Sequence, residues 1–127
     1  MERRVRLRRP SDVQLVYENG QAWKHPLLVL LARPNDLGSS RVGVAASRKV
    51  GGAAIRNRSK RLLREAARHL YTQIEPGWDI MLIARKCIAS ASESQVEKAL
   101  AMLLGRADLI PSCDSIGVQQ VSSMDVT

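Results

Sequence analysis

The chain has 127 residues, 45% of them hydrophobic, which fits one folded domain with its own core. Its 20 lysines and arginines oppose 12 aspartates and glutamates, so the net charge is +8. The excess lies in the first 70 residues, which hold 16 basic and 5 acidic side chains. Because a field of this sign attracts nucleic acid or an anionic membrane, we expect the partner surface in this half.

Several classes of protein are disfavoured by the same sequence. No apolar run approaches the roughly 18 residues that a membrane-spanning helix needs, the longest being residues 27–32. The arginine-rich start is followed by Pro10 and not by an apolar segment, so it does not resemble a secretory signal, and we expect a cytoplasmic protein. Cys87 and Cys113 are isolated, which favours neither a zinc site nor a disulfide framework.

The first predicted element is a short helix. Ser11, followed three residues later by Gln14, is typical of a capping box at a helix start. Asn19 and Gly20 are expected to end the helix. The residues predicted to share one face are Val13, Val16 and Tyr17.

Two strands are predicted next. Residues 23–33 contain a continuous apolar run between two prolines, which favours a strand buried on both faces. A turn cluster at residues 35–40 follows. Residues 41–47 alternate in polarity as a second strand. The turn between them predicts a hairpin.

The stretch from Ser47 to Tyr71 predicts the main helix of the chain. On a helix with about 100° per residue, its apolar and polar side chains separate onto opposite faces. Ala and Leu dominate one face, whereas Arg and Lys dominate the other with almost no acid among them, which favours a polyanionic partner. The predicted inner face comprises Ile55, Ser59, Leu62, Leu63, Ala66 and Leu70, and the outer face Asn57, Lys60, Arg61, Arg64 and Arg68.

The last third predicts a strand and a helix. A break at residues 75–77 precedes a buried strand at residues 78–85, with Cys87 expected in a strand as a small buried side chain. Ser92 with Gln95, or Ser90 with Glu93, is expected to cap a helix that stops at Gly105. Its predicted buried residues are Val96, Ala99, Leu100, Leu103 and Leu104.

The predicted elements are therefore a helix, two or three strands, a helix, a strand and a helix, and with three strands the order is α-β-β-β-α-β-α. This order is typical of an α/β (α+β) two-layer sandwich with a single mixed sheet. We predict one domain at residues 1–105. Residues 106–127 lose hydrophobic periodicity and become serine-rich, which predicts a disordered tail.

The motif around the main helix closely resembles the protein subunit of bacterial ribonuclease P. The resemblance is carried by Gly-Val-Ala-Ala-Ser-Arg-Lys-Val-Gly-Gly at residues 43–52 and Arg-Asn-Arg-Ser-Lys-Arg-Leu-Leu-Arg-Glu at residues 56–65. Flanking elements agree with that family from about Arg6 to Gly105. The resemblance implies a left-handed crossover between the strands on either side of the main helix.

The resemblance also implies a function. In this family the large RNA subunit carries the active site and its Mg²⁺ ions, and it cleaves precursor tRNA to leave the mature 5′ end. The protein binds this catalytic RNA and the 5′ leader of precursor tRNA. We therefore expect no catalytic or metal-binding residue in this chain and no obligate protein partner.

Candidate RNA-binding residues follow from the motif and from side-chain chemistry. Arginine forks pair with phosphate oxygens, lysines act as compact charges, and Asn57 can bond sugar or base edges, although Asn57 and Arg58 could equally brace the loop. Gly51 and Gly52 permit close approach of RNA to the helix N-terminus. The complete predicted set is Arg48, Lys49, Arg56, Asn57, Arg58, Lys60, Arg61, Arg64 and Arg68.

By the family's pattern the leader lies in an aromatic-lined groove between the first helix and the sheet. The chain has no Phe, and the matching positions are Val13 and Tyr17. Because base stacking on an aromatic ring contributes about 1–3 kcal/mol, we expect Val13 to contribute less than a ring would. Tyr17 has the alternative of plain core packing.

Functions of other classes are less favoured. A self-sufficient protein nuclease needs paired carboxylates or a histidine pair, whereas the acids of the basic half are scattered. A structural RNA-binding protein of the ribosomal type shares the charge and composition, so only the extended motif separates the two. A DNA-binding module would need a recognisable helix-turn-helix partner, which the basic helix lacks.

Overall fold

The computed structural model describes residues 5–110 and contains three α-helices and four strands in that part of the chain. The order of these elements along the chain confirms the predicted α-β-β-β-α-β-α order. The elements are α1 (Pro10–Asn19), β1 (Gln21–Lys24), β2 (Leu28–Pro34), β3 (Arg41–Ala45), α2 (Ala53–Leu70), β4 (Trp78–Ala84) and α3 (Glu93–Arg106), with short 3-10 helices at Tyr71–Gln73 and Lys86–Ser90.

The four strands form one mixed sheet in the order β1-β2-β4-β3. β4 occupies the centre, where it pairs antiparallel with β2 and parallel with β3. The long helix α2 makes the connection between the two parallel strands, as the predicted crossover requires. The left-handedness implied by the resemblance stays a prediction.

The predicted hairpin of β2 with β3 is wrong, because β4 lies between these strands. The turn cluster instead carries the chain across the end of β4. The Asn35 amide nitrogen donates to the Gly77 carbonyl at 2.7 Å, and the Asn35 side chain donates to Asp79 at 2.8 Å. These bonds tie the turn to the start of β4, so the following strand emerges on the far side of β4.

The single strand predicted at residues 23–33 is in fact two strands. The chain reverses around Pro26, where the backbone groups of His25 and Leu28 bond each other and the His25 ring accepts from the Leu27 amide at 3.0 Å. β1 and β2 then pair as the antiparallel hairpin. Burial alternates along β2, so the strand is fully buried on one face only.

The larger core lies between one sheet face and helices α2 and α3. Its sheet layer includes Leu30 and Leu82, and its helix layer includes Leu63 and Leu100, all almost fully buried. The predicted two-layer sandwich of sheet and helices is formed by these elements. α1 packs on the opposite face, where Val16 joins Leu7 and Met81 in a smaller core.

The capping box predicted at Ser11 is wrong, because Arg9 is the N-cap residue and α1 begins at Pro10, two residues earlier than the prediction requires. Proline suits the first helical position, since its missing N–H would have no partner there. Ser11 therefore lies within the first turn, and no side chain caps the helix. The predicted end is confirmed, as Gly20 follows the last helical residue and donates to the Val16 carbonyl at 2.9 Å.

The capping box predicted with Ser92 and Gln95 is present at the start of α3, where Ser92 accepts from the Gln95 amide at 3.2 Å. All five residues predicted to be buried on this helix are buried. The helix ends at Arg106, one residue beyond the predicted stop. The prediction that Cys87 is buried in a strand is wrong, because Cys87 is exposed in the 3-10 helix after β4.

The packed body continues beyond the predicted boundary at residue 105. Leu109 is fully buried, and its carbonyl accepts from the Glu75 amide at 2.7 Å. The rest of the predicted tail, residues 111–127, lies outside the described residues. Within residues 5–110 no helix has both the length and the apolar character needed to cross a membrane.

Candidate RNA-binding surface

α2 separates its side chains as the sequence predicts. The buried side comprises Ser59, Leu62, Leu63, Ala66, Ala67 and Leu70. Ile55, predicted on this side, is 41% exposed, because it lies in the first turn and extends beyond the core. We use the name cationic face for the opposite side, which consists of Asn57, Lys60, Arg61, Arg64 and Arg68.

Most of the cationic face has no partner within the described part of the chain. The side chains of Asn57, Lys60, Arg61 and Arg64 make no hydrogen bond or ion pair with residues 5–110. All but the half-buried Lys60 are exposed. Donors without protein partners can bind an external acceptor without first breaking an internal bond.

The loop before α2 extends this surface. The side chains of Arg48 and Lys49 are exposed, while Val50 is buried and anchors the loop. Gly51 has φ +153, and a Cβ there would lie only 2.9 Å from the Ile55 side chain, so glycine is needed. Gly52 is the N-cap residue of α2, and no side chain there bonds the first helical amides. These amides are therefore available to an anion.

Arg58 belongs to the motif but not to the cationic face. Its guanidinium donates to the backbone carbonyls of Ala89 at 3.2 Å and Ala91 at 3.0 Å. These bonds join α2 to the segment between β4 and α3. Arg58 thus braces this later segment and not the glycine loop, which was the alternative that the sequence left open. Its predicted contact with RNA stays a prediction.

Arg68 and Arg56, also in the predicted set, differ in their surroundings from the exposed and unpaired Arg61 and Arg64. Arg68 forms an ion pair with Glu65 at 2.9 Å, and the hydrogen bond from Arg68 lowers the pKa of that carboxyl. Arg68 also lies 3.0 Å from the His69 ring. Arg56 is half-buried, and its Nε has no partner among the described residues.

Val13 and Tyr17 lie on one side of α1. Asp12 bonds Arg41 of β3 at 3.2 Å, and Val16, about 40° further round the helix, packs into the smaller core. Val13 and Tyr17 follow on the side away from Asp12, and Val13 packs against the same core. Tyr17 is 49% exposed, and partial burial raises the pKa of its phenol, so the hydroxyl stays protonated at neutral pH.

A row of side chains crosses the sheet on the face that α1 only partly covers. Strand register places Lys24 beside Val29, Val29 beside Ile83, and Ile83 beside Ala45. Lys24 is exposed and the three apolar residues are half-buried. Asp12 contacts Arg41 at the start of β3, whereas the row lies at the end of β3. Val13 and Tyr17 lie on the side of α1 away from Asp12, which is the side toward the row. Val13 of α1 and Ala45 of this row both pack against the smaller core, and Tyr17 lies on the same side of α1 as Val13.

Two features of the surface escaped the sequence prediction. Arg41 forks onto the buried Asp79 at 2.7 and 2.9 Å, and it also bonds Asp12, which fixes α1 on the sheet. The aspartate inside the apolar run of residues 78–85 was the available signal. Arg6 and Arg8 line a cavity with Arg64, and the alternation of residues 5–8 could have indicated their common face.

Comparison with known proteins identifies the family of the chain. The ribonuclease P family model matches residues 1–108. A ribonuclease P protein component from Herpetosiphon aurantiacus is 43% identical over 109 residues, which cover 86% of this chain and 89% of that protein. The chain belongs to the ribonuclease P protein family.

Solved structures of ribonuclease P proteins share its fold. The protein from Thermotoga maritima aligns with a TM-score of 0.72 and 34% identity, covering 80% of this chain and 96% of its own. The protein from Staphylococcus aureus aligns with a TM-score of 0.74 and 27% identity, covering 84% and 97%. The resemblance based on the motif is therefore confirmed. As a ribonuclease P protein component, the chain acts in the processing of tRNA 5′ ends.

Proposed function

We propose that this ribonuclease P protein binds the catalytic RNA and the 5′ leader of precursor tRNA, and so promotes endonucleolytic removal of the leader. The observation that carries the proposal is the cationic face of α2, whose Asn57, Arg61 and Arg64 are exposed and unpaired within residues 5–110. Phosphate contacts of this kind supply affinity and orientation but little sequence preference.

In this proposal, two surfaces of the protein bind different RNAs. The cationic face, the uncapped start of α2 and the loop residues Arg48 and Lys49 present donors to a folded, phosphate-rich RNA. The sheet row beside α1 offers apolar side chains and Tyr17, which suits unstacked bases of a single strand. The two surfaces lie on opposite sides of the sheet, so one protein can contact both RNAs.

Catalysis belongs to the RNA subunit in this proposal. Within residues 5–110 no group of three or more His, Cys, Asp or Glu side chains is placed to hold a metal ion. As the resemblance to the family implies, the proposal assigns the Mg²⁺ ions to the catalytic RNA. The protein contributes by holding the precursor on that RNA and by neutralising phosphate repulsion between the two RNAs, which lowers the Mg²⁺ concentration required.

The proposal is tested by cleavage of a precursor tRNA at low Mg²⁺ with the protein alone, the host's catalytic RNA alone, and both together. We expect cleavage at the mature 5′ end only with both components. Cleavage by the protein alone would reveal a protein active site. If the protein did not stimulate the RNA, a general RNA-binding protein of the ribosomal type would replace the proposal.

A further inference from the structure

A small cavity lies between the N-terminal segment, β3 and α2. Its volume is about 100 Å³, and three of its lining residues are Arg6, Arg8 and Arg64. Residues 42–44 of β3 form its floor. At about 30 Å³ per water molecule, the cavity has room for roughly three waters or one group of similar size. We call it the arginine pocket.

The backbone explains why the three arginines converge. Arg6 forms a parallel bridge with Val42, and the Leu7 amide donates to the Val42 carbonyl at 3.0 Å, so this segment runs beside β3 like a further strand. In an extended chain alternate residues share a face. Leu7 is buried toward the α1 side, which places Arg6 and Arg8 together on the α2 side.

A tight contact fixes the position of the segment. A Cβ on Gly43 would lie 2.7 Å from the Leu7 carbonyl oxygen and 2.6 Å from the Met81 sulfur. Only glycine permits this approach. The two N-terminal arginines are thereby held at a defined distance from α2, where Arg64 projects from the cationic face.

The charge of the arginine pocket is not neutralised by any residue in the described part of the chain. None of its three guanidinium groups forms a hydrogen bond or an ion pair with any residue between 5 and 110. In the same range Arg41 is paired with aspartates and Arg68 with Glu65. Three like charges around one cavity repel each other, and a bound anion would remove that repulsion.

We propose that the arginine pocket binds a single phosphate group of an RNA backbone. Guanidinium forks match phosphate oxygens, and three of them can engage one phosphate from different directions. The site ties the N-terminal segment and the cationic face to the same nucleotide. It rests on the proposed function only for the source of the phosphate, which is either the catalytic RNA or the precursor tRNA.

The pocket is tested first without RNA. Inorganic phosphate is titrated into the full-length protein at constant ionic strength, while the arginine Nε–H resonances are followed by NMR. We expect Arg6, Arg8 and Arg64 to shift with one common Kd, and Arg9, which does not line the cavity, to shift much less. Arg64→Gln should weaken phosphate binding about two- to fivefold, whereas Arg9→Gln should leave the Kd unchanged.

The second test asks whether two arginines hold the same phosphate of RNA. Kd values are measured for Arg6→Gln, Arg64→Gln and the double variant, with the catalytic RNA and with precursor tRNA on the reconstituted complex. If each single substitution weakens RNA affinity roughly fivefold, the double variant should weaken it by much less than the product of about 25-fold. It should lower the salt slope by about 0.7 to 0.9, the value for one phosphate. For the matched pair Arg9→Gln and Arg64→Gln, the fold-changes in Kd of the two single variants should multiply in the double variant.

The outcomes separate the two proposals. Coupling in catalytic-RNA affinity assigns the phosphate to that RNA, and coupling in precursor affinity assigns it to the substrate. Multiplicative effects of Arg6→Gln and Arg64→Gln in both assays, or phosphate shifts that do not distinguish Arg9, would overturn the pocket while leaving the proposed function intact. Absence of RNA binding by the unmutated protein would overturn the proposed function, and the phosphate titration would still decide the pocket.

Discussion

Two arginines three positions apart on α2 differ in their surroundings. Arg58 lies on the flank that faces the segment after β4, and both its terminal nitrogens donate to backbone carbonyls there. Arg61 lies on the cationic face and has no partner among the described residues. Because the side chains are identical, only their neighbours determine which arginine is available to RNA.

Arg58→Ala should therefore act on stability. Two charge-assisted hydrogen bonds would be lost, so we expect the free energy of unfolding to fall by about 1–2 kcal/mol. Urea denaturation measures this change, and amide exchange at Ile88 and Ala91 should accelerate. A variant of unchanged stability with a reduced salt slope for RNA binding would show that Arg58 binds RNA.

Val13 lies in the proposed leader groove, at a position where an aromatic ring could stack on a base. Val13→Phe should add an aromatic face beside Tyr17, and each stacked base contributes about 1–3 kcal/mol. We expect tighter binding of precursor tRNA with a leader and no change for tRNA without one. Leu15→Phe, on the exposed side of α1, is the matched control. Unchanged leader-dependent affinity for Val13→Phe would place the leader elsewhere.

At the scale of elements, α2 joins the core to the proposed RNA surface. Its leucines and alanines bury one side against the sheet, which holds the basic side in a fixed orientation. Since the side chains of the cationic face are one turn apart along a rigid helix, they can contact successive phosphates. In the proposed complex with RNA, affinity would come from many weak contacts of this kind.

Arg61→Ala combined with Arg64→Ala should flatten the salt dependence of RNA binding. Each lost phosphate contact lowers the slope of log K against log salt by about 0.7 to 0.9, so two contacts lower it by roughly 1.4 to 1.8. The slope is measured from Kd values over a range of KCl concentrations. Lys98→Ala with Arg106→Ala removes the same charge from α3 and should leave the slope nearly unchanged. Equal slopes for both pairs would argue against a defined RNA face on α2.

The Arg41 ion pairs connect α1 to the sheet. Asp79 is only 2% exposed and accepts two bonds from Arg41, whereas Asp12 is partly exposed. The side-chain hydrogen bond to Asp79 raises the pKa of Arg41, which therefore stays charged. The two aspartates offer a matched comparison of a buried and a surface partner.

Asp79→Ala should leave Arg41 without its buried partner and lower the free energy of unfolding by about 3 kcal/mol or more. Asp12→Ala removes the pair with the more exposed aspartate and should cost about 1 kcal/mol or less. Both values come from urea denaturation monitored by circular dichroism. Similar losses for the two variants would contradict the distinction drawn from burial.

At the scale of the whole molecule, the chain closes its main core with residues that follow α3. Leu109 is fully buried, and its backbone nitrogen and oxygen bond Leu104 and Glu75. The end of α3 is thereby joined to the turn before β4. The packed domain includes this residue, although the hydrophobic periodicity of α3 ends earlier.

Leu109→Ala should leave a cavity in the core and lower the free energy of unfolding by about 2–4 kcal/mol. The measurement is urea denaturation of the full-length chain. Ile110→Ala, at a half-buried neighbour, is the matched control and should cost less. A loss below about 0.5 kcal/mol for Leu109→Ala would show that the core does not depend on this residue.

Local chemistry determined much of this protein from sequence alone. The periodicity of α2 separates its basic and apolar faces, the Ser92 and Gln95 pair starts α3, and the motif at residues 43–65 identifies the family. Each of these signals arises within a few turns of helix or one short segment. Local residue pattern is therefore sufficient to predict them.

Contacts between distant segments decided the rest. The insertion of β4 between β2 and β3, the pairing of Arg41 with Asp79, and the bonds of Arg58 to Ala89 and Ala91 all join residues more than thirty positions apart. The periodicity of a single segment contains no information about its partner in space. The same reason explains why Arg6 and Arg8 were missed, since the arginine pocket exists only after the N-terminal segment lies beside β3 and next to α2.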